Sequence, residues 1–179
     1  GIEGDAAARY FGVFQHLLTE KSGFTFSGRN RRPPRDPVNA LLSFLYSVLG
    51  KDISGALQSV GLDPQVGFLH ADRPGRDSLA QDLLEEFRAW WVDRMTLSLI
   101  NRGQIGLQDF STEAGGAVNI KPEARKLLFQ TLQAKKQEKI VHPYLQEEVE
   151  IGLLPHIQAM LLARHLRGDL AEYPPFLMR

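Results

Sequence analysis

His70, Asp82 and Glu85 stand close together within Gly67–Arg88, a stretch that also carries Arg73, Arg76 and Arg88. No other part of the chain sets so many potential metal ligands beside so many arginines. The protein has no cysteine, so any metal it binds must be held by histidine and carboxylates. Asp82 and Glu85 are three residues apart and share one helix face. Leu79, Leu83, Leu84, Phe87 and Trp91 supply the apolar stripe beside them, which puts the acids at the edge of a core. A carboxylate there needs a cation. Two readings satisfy that need: an acid–arginine network with Arg76 and Arg88 on a solvated helix, or a bound metal. Glu86 points about 100° away from Glu85 on an ideal helix.

The elements that must position these residues are predominantly helical. Ser78 and Gln81 have capping-box spacing and predict a helix starting at Ser78. That helix is expected to run on through Trp90, Trp91 and Met95 to a stop at Gly103. His70 follows two apolar residues, Phe68 and Leu69, and is expected to be half-buried. Apolar periodicity predicts a helix over 2–21, with Glu3 and Asp5 in its first turn, where the helix dipole favours acids. Residues 22–36 form a loop broken by Gly23, Gly28, Pro33 and Pro34, in which Arg29, Arg31, Arg32 and Arg35 crowd around Asn30. It is either a solvated charged loop or a phosphate-contacting one, since arginine forks match phosphate oxygens.

Asp36-Pro37 then opens a helix apolar on nearly every face, suited to the centre of a bundle. A shorter helix, Ile53 to Val60, is expected after Gly50. Residues 104–120 predict one small hairpin with arms Leu107–Phe110 and Gly116–Ile120. A helix from Pro122 to about Lys139 follows, with a basic flank that includes Arg125 and Lys126. A last helix over 144–167 is expected to kink at Pro155. The tail 168–179 is expected to be extended, with Phe176 and Leu177 docking on a partner.

The fold class is therefore mainly α: a helical bundle with one small β-hairpin, over a single domain 1–179. A hydrophobic content of 43% supports a real core, and 23% charged residues is ordinary for a soluble domain. No membrane span or signal peptide is expected. Formal net charge is zero, so a nucleic-acid partner would have to meet a local basic patch.

Four blocks together resemble a known family: Ile2–Phe11 (IEGDAAARYF), Asp36–Leu42 (DPVNALL), Gly61–His70 (GLDPQVGFLH) and Ser78–Arg88 (SLAQDLLEEFR). They are similar to the helical domain of the CRISPR-associated endonuclease and integrase, the catalytic "Cas one" subunit of the spacer-acquisition complex. The resemblance covers essentially the whole chain. It implies that the family's N-terminal β-rich domain is missing here, and that this is the C-terminal portion of a longer protein.

The resemblance further implies a divalent metal, Mg²⁺ or Mn²⁺, held by Glu3, His70 and Glu85, with Asp82 a nearby acid at the catalytic site. Either Asp82 or Glu85 could be the acid that touches the metal. Arg31, Arg32, Arg76 and Arg88 would hold the DNA backbone. The implied reaction inserts foreign DNA into a CRISPR array through 3′-hydroxyl attack on a phosphodiester. The implied partners are double-stranded spacer precursor and CRISPR repeat DNA, a second copy in a homodimer, a small companion subunit, and an exonuclease subunit or fused domain. No membrane is involved, and the setting is the prokaryotic cytoplasm. Two other classes fit the residues without the resemblance: a non-catalytic helical scaffold, and a His/carboxylate metal hydrolase of another substrate.

Overall fold

The computed structural model describes residues 2–178, and of Ile2 and Glu3 the backbone only. The chain is mainly α, as its apolar periodicity predicts, and carries two short antiparallel hairpins among the described residues where one was expected. It divides into two compact units, Gly1–Leu45 with Val92–Leu128 and Tyr46–Trp91 with Phe129–Arg179.

In the first unit, α1 (Ile2–Val13) stops well short of residue 21 and gives way to 3-10 turns at Phe14–Leu17 and Glu20–Ser22. Side chains from elsewhere take the backbone groups that would have continued it. Asn101 Nδ2 donates to the Leu17 carbonyl at 2.8 Å and Asn101 Oδ1 accepts the Thr19 amide at 3.0 Å. Phe14, Phe24 and Phe26 are buried, and the rings of Tyr10, Phe11, Phe14 and Phe26 pack together. The Tyr10 hydroxyl donates to Asp93 at 2.8 Å. The hairpin pairs β1 (Phe110–Thr112) with β2 (Val118–Ile120), Phe110 opposite Ile120. Its first arm begins later than expected because Leu107–Asp109 is a 3-10 turn, closed by Asp109 accepting the Gly106 amide at 2.8 Å.

Helix α2 (Pro37–Ser59) is continuous, and Gly50 does not break it. Leu49, Ile53 and Leu57 are all fully buried, and packing at that spacing overrides the glycine. Asp36 caps the helix, accepting the Asn39 amide at 2.8 Å. By length and composition α2 could cross a membrane, but 56% of its apolar stretch is buried inside the protein, as in a core helix.

In the second unit, α3 (Ser78–Phe87) starts where the sequence predicts, but without the capping box. Ser78 is fully buried and its hydroxyl donates to the Ala71 carbonyl at 3.1 Å. The first-turn amides of Leu79 and Ala80 go instead to the Pro64 carbonyl, at 2.9 and 3.3 Å. The helix widens into a π turn over Arg88–Asp93 before α4 (Arg94–Asn101), so the run to Gly103 is interrupted.

Helix α5 (Pro122–Gln137) ends before Lys139. A second hairpin, β3 (Lys139–Val141) with β4 (Glu148–Glu150), replaces the start of the expected last helix. A buried His142 holds its turn: Nδ1 accepts the amides of Tyr144 and Leu145, and Nε2 donates to Gln158 at 3.1 Å. Helix α6 (Leu154–Leu166) begins only after this hairpin, which puts Pro155 in its first turn, where proline starts a helix instead of kinking it. The extended tail docks within its own unit. Phe176 is buried against the rings of Phe87, Trp90 and His142.

Candidate functional site

His70 sits in the loop that leads into α3, and Asp82 one turn into that helix reaches back to it. Asp82 Oδ1 lies 2.6 Å from His70 Nδ1 and accepts the His70 amide at 2.9 Å. Its Oδ2 accepts the amides of Phe68 at 2.6 Å and Leu69 at 3.0 Å. Burial alone would raise the Asp82 carboxyl, but the amides of Leu69, Phe68 and His70 and the His70 ring outweigh it and hold it below its ordinary value. An ionised carboxylate only accepts, so the hydrogen between them sits on Nδ1. Nε2 has no hydrogen-bond partner among the described residues. Gly67 is required at the loop's start: a Cβ there would lie 2.7 Å from the His70 carbonyl oxygen and 2.8 Å from Ser78 Cβ.

Glu85 is differently engaged. One oxygen pairs with Arg88 and the other is unpartnered among the described residues. Arg88 lies over the Tyr46 ring, 4.5 Å from its centroid. Burial would lower its pKa, but the charges of Glu85 and Tyr46 outweigh it and raise it. Glu86, on the next position, faces the tail. It accepts the Tyr173 hydroxyl at 2.7 Å, Gln158 Nε2 at 2.8 Å and the Phe176 amide at 2.8 Å. Burial pushes its carboxyl above the ordinary value despite these bonds. Three acids of one helix thus hold three different things: the His70 loop, an arginine, and the tail.

Glu3 lies in the first turn of α1, and its side chain falls outside the described residues. Among the described residues no group of three His, Cys, Asp or Glu side chains converges to hold a metal ion. The structure brings His70 and Asp82 together and leaves Glu85 a free oxygen.

The arginine loop of the first unit separates into two kinds of residue. Arg29 is structural, its guanidinium held by Asn39, by Ser43 Oγ at 3.1 Å and by the Asn30 carbonyl at 2.9 Å. The fully buried Asn39 also accepts the Asn30 amide and donates to the Gly28 carbonyl. Asn30 in turn donates to Asp36 at 2.9 Å and accepts the Arg35 amide at 2.8 Å. On this stapled backbone Arg31, Arg32 and Arg35 are exposed and form no ion pair among the described residues. Arg76, half-buried in the His70 loop, also has no ion pair there. An amide among the apolar residues that open α2 reads by default as a buried, hydrogen-bonded residue, and Asn39 is one.

A histidine oriented by a carboxylate, ahead of a helix that carries further acids, is an arrangement suited to proton transfer or to metal ligation. Residues 1–134 match the family model described as CRISPR associated protein Cas1, and the chain belongs to that family. It is 57% identical over 180 residues to a CRISPR-associated endonuclease Cas1 of Chlorobaculum tepidum, covering all of this chain and 52% of that protein. The chain thus spans about half the length of the curated relatives it matches first. Among solved structures it is similar to a casposase bound to integration product, with a TM-score of 0.84 and 29% identity over 99% of this chain and 50% of that one. It is equally similar, at TM-score 0.84 and 29% identity, to a chain of a Cas6-RT-Cas1–Cas2 complex, covering 99% of this chain and 19% of that one.

Proposed function

We propose that the protein is a divalent-metal-dependent DNA endonuclease and integrase that inserts DNA fragments as spacers into a CRISPR array. The observation that carries this reading is the His70–Asp82 pair, which fixes the ring through Nδ1 and leaves Nε2 without a hydrogen-bond partner among the described residues. A histidine whose other nitrogen is held by a carboxylate is the arrangement that metal-ligating histidines adopt. Imidazole and carboxylate donors suit Mg²⁺ or Mn²⁺, which His70 and Glu85 would help to hold. When bound, the metal supplies polarisation of the scissile phosphate and stabilisation of the departing 3′-oxygen. Asp82 acts through His70, as a positioning residue that fixes the ring and its loop. Arg88 balances the charge of Glu85. Arg31, Arg32 and Arg76 bind the DNA backbone through phosphate oxygens, and this explains DNA binding by a chain of zero net charge. The family membership and the casposase likeness support the reaction class. The likeness to a Cas6-RT-Cas1–Cas2 complex supports a companion subunit, and a second copy of the chain is part of the same proposal.

The test is strand transfer of a spacer-like duplex into a branched target by the full-length protein with Mn²⁺, beside His70→Ala. Loss of at least a hundredfold in the variant, together with loss of the wild-type Mn²⁺-induced rise in melting temperature, is expected. Undiminished strand transfer by His70→Ala would overturn the site.

A further inference from the structure

The C-terminal tail is tied to the helix that carries the candidate site. Glu86 follows Glu85 in α3, and both of its carboxylate oxygens are engaged in that tie. Oε1 accepts the Tyr173 hydroxyl, and Oε2 accepts the Phe176 amide and Gln158 Nε2. The fully buried Gln158 of α6 also donates to the Tyr173 hydroxyl at 2.8 Å and to the Pro174 carbonyl at 3.2 Å, and its Oε1 accepts from His142. Tail, α3, α6 and the turn of the second hairpin meet in one closed network. Phe176 adds a second hold: its ring lies 5.3 Å from that of Phe87 and 5.2 Å from that of Trp90. Phe87 precedes the π turn Arg88–Asp93 and Trp90 lies within it, and the first residue of that turn, Arg88, pairs with Glu85. Widened turns of this kind recur at functional sites.

The tie bears on the site through geometry. On an ideal helix Glu85 and Glu86 lie to either side of Asp82, about 60° and 40° round the axis. The His70 loop leaves α2 with the Leu62 amide on the Leu57 carbonyl, so its far end is fixed and it cannot follow a roll of α3. The apolar stripe of α3 is non-directional and opposes a small roll only weakly. The bonds of Glu86 are directional. A roll of about 20° would carry an oxygen at the outer radius of a helix by about 2 Å. That is enough to part Asp82 from the amides of Phe68, Leu69 and His70. At a reacting centre, a misplacement of about 1 Å can cost about a hundredfold in rate.

We infer that the tail is the positioning element of the candidate site: Glu86, Tyr173 and Phe176 set the roll of α3, and so hold Asp82 against the His70 loop and Glu85 beside Arg88. As it bears on catalysis, this rests on the endonuclease and integrase reading. All three are positioning residues, acting through the helix.

The experiment uses full-length protein. Tyr173→Phe removes one donor from Glu86 and keeps the ring, while Glu86→Ala cuts the network at the helix. Without metal, amide exchange at residues 68–70 should quicken about fivefold in Tyr173→Phe, the worth of one hydrogen bond, and further in Glu86→Ala. No bond of either residue reaches that loop among the described residues. Amides of α5 are the reference and should keep their wild-type rates. With Mn²⁺, kcat for strand transfer should fall about ten- to a hundredfold in Glu86→Ala with KM for DNA unchanged. Glu86→Gln, which keeps one acceptor oxygen, should recover part of that loss. Wild-type exchange at 68–70 in both variants, or a quickening shared equally by α5, overturns the inference and leaves the tail a stabiliser only. Quickened exchange with unchanged kcat overturns it too. Failure of wild type to transfer strands overturns the integrase reading instead, while exchange at 68–70 still decides whether the tail positions α3.

Discussion

Asp82 accepts the ring N–H of His70 at 2.6 Å while also accepting three consecutive amides, those of Phe68, Leu69 and His70. One carboxylate therefore sets the histidine's tautomer and the loop's conformation together. Asp82→Ala should destabilise the protein by about 2 kcal/mol, because bonds to a charged acceptor are lost from a mostly buried site. Asp82→Asn should fall between, since its amide nitrogen cannot accept. The Asp82 pKa is lowered in the folded chain, so its contribution is present above the ordinary value near 3.8 and is lost as pH falls through the folded one. Amide hydrogen exchange at residues 68–70 should quicken in both variants, and unchanged protection would show that the loop is held by something else.

Glu86 behaves in the opposite sense. Its carboxyl is raised above the ordinary 4.5 by burial, so the folded chain holds that proton more tightly than the unfolded one. The stability this contributes is complete below the unfolded pKa and is lost as pH rises through the folded pKa. Glu86→Gln removes that slope, and the variant's stability should no longer fall as pH is raised from 4 to 7. Glu86→Ala should be less stable than Glu86→Gln, because Tyr173, Gln158 and the Phe176 amide lose their acceptor. Phe176→Ala should cost about 3–5 kcal/mol, as for other buried phenylalanines. Urea unfolding across the pH series measures all three, and an identical pH slope in wild type and Glu86→Gln would overturn the account.

Much of the fold was legible because long helices announce themselves through apolar spacing, as in α2 and α3. The second hairpin was not, although Val149, Ile151 and Leu153 alternate at the period of a strand; the apolar run of α6 just after them masked it. Nothing local marks the buried ring of His142 as the organiser of that turn. For the site, residue types pointed to His70, Asp82 and Glu85, but spacing could not divide their tasks. That division depends on where the loop returns to the helix: Asp82 meets three amides and a ring, while Glu85 meets Arg88 and Glu86 the tail. Three neighbouring acids with three different partners are a tertiary outcome.

His142 is completely buried, and burial lowers its pKa below the ordinary 6.5, partly offset by its bond to Gln158. The neutral ring is the one that accepts two amides through Nδ1. Its folded pKa lies below the unfolded one, so stability is full above about pH 6.5 and declines as pH falls below it. Denaturation midpoints between pH 7.5 and 5 should show this decline in wild type, and His142→Gln should show a flatter profile from a lower starting stability. A decline of equal steepness in the variant would assign the effect to another group.

Arg29 and its neighbours Arg31 and Arg32 differ in task although the sequence crowds them together. Arg29 is bonded to Asn39, Ser43 and the Asn30 carbonyl, so Arg29→Met leaves those acceptors unsatisfied and should destabilise the protein by about 1–3 kcal/mol. Arg31 and Arg32 are exposed and unpaired among the described residues, so alanine at either should leave the melting temperature within about 1 °C of wild type, the small effect usual for surface substitutions. If they hold phosphates, each alanine should instead lower the salt dependence of DNA binding by roughly one unit of log K per unit of log salt. A loss of that slope with no loss of stability separates binding from folding. An unchanged salt slope in the double variant Arg31→Ala/Arg32→Ala would make this face of the loop a solvated surface and move the phosphate contacts to Arg35 and Arg76.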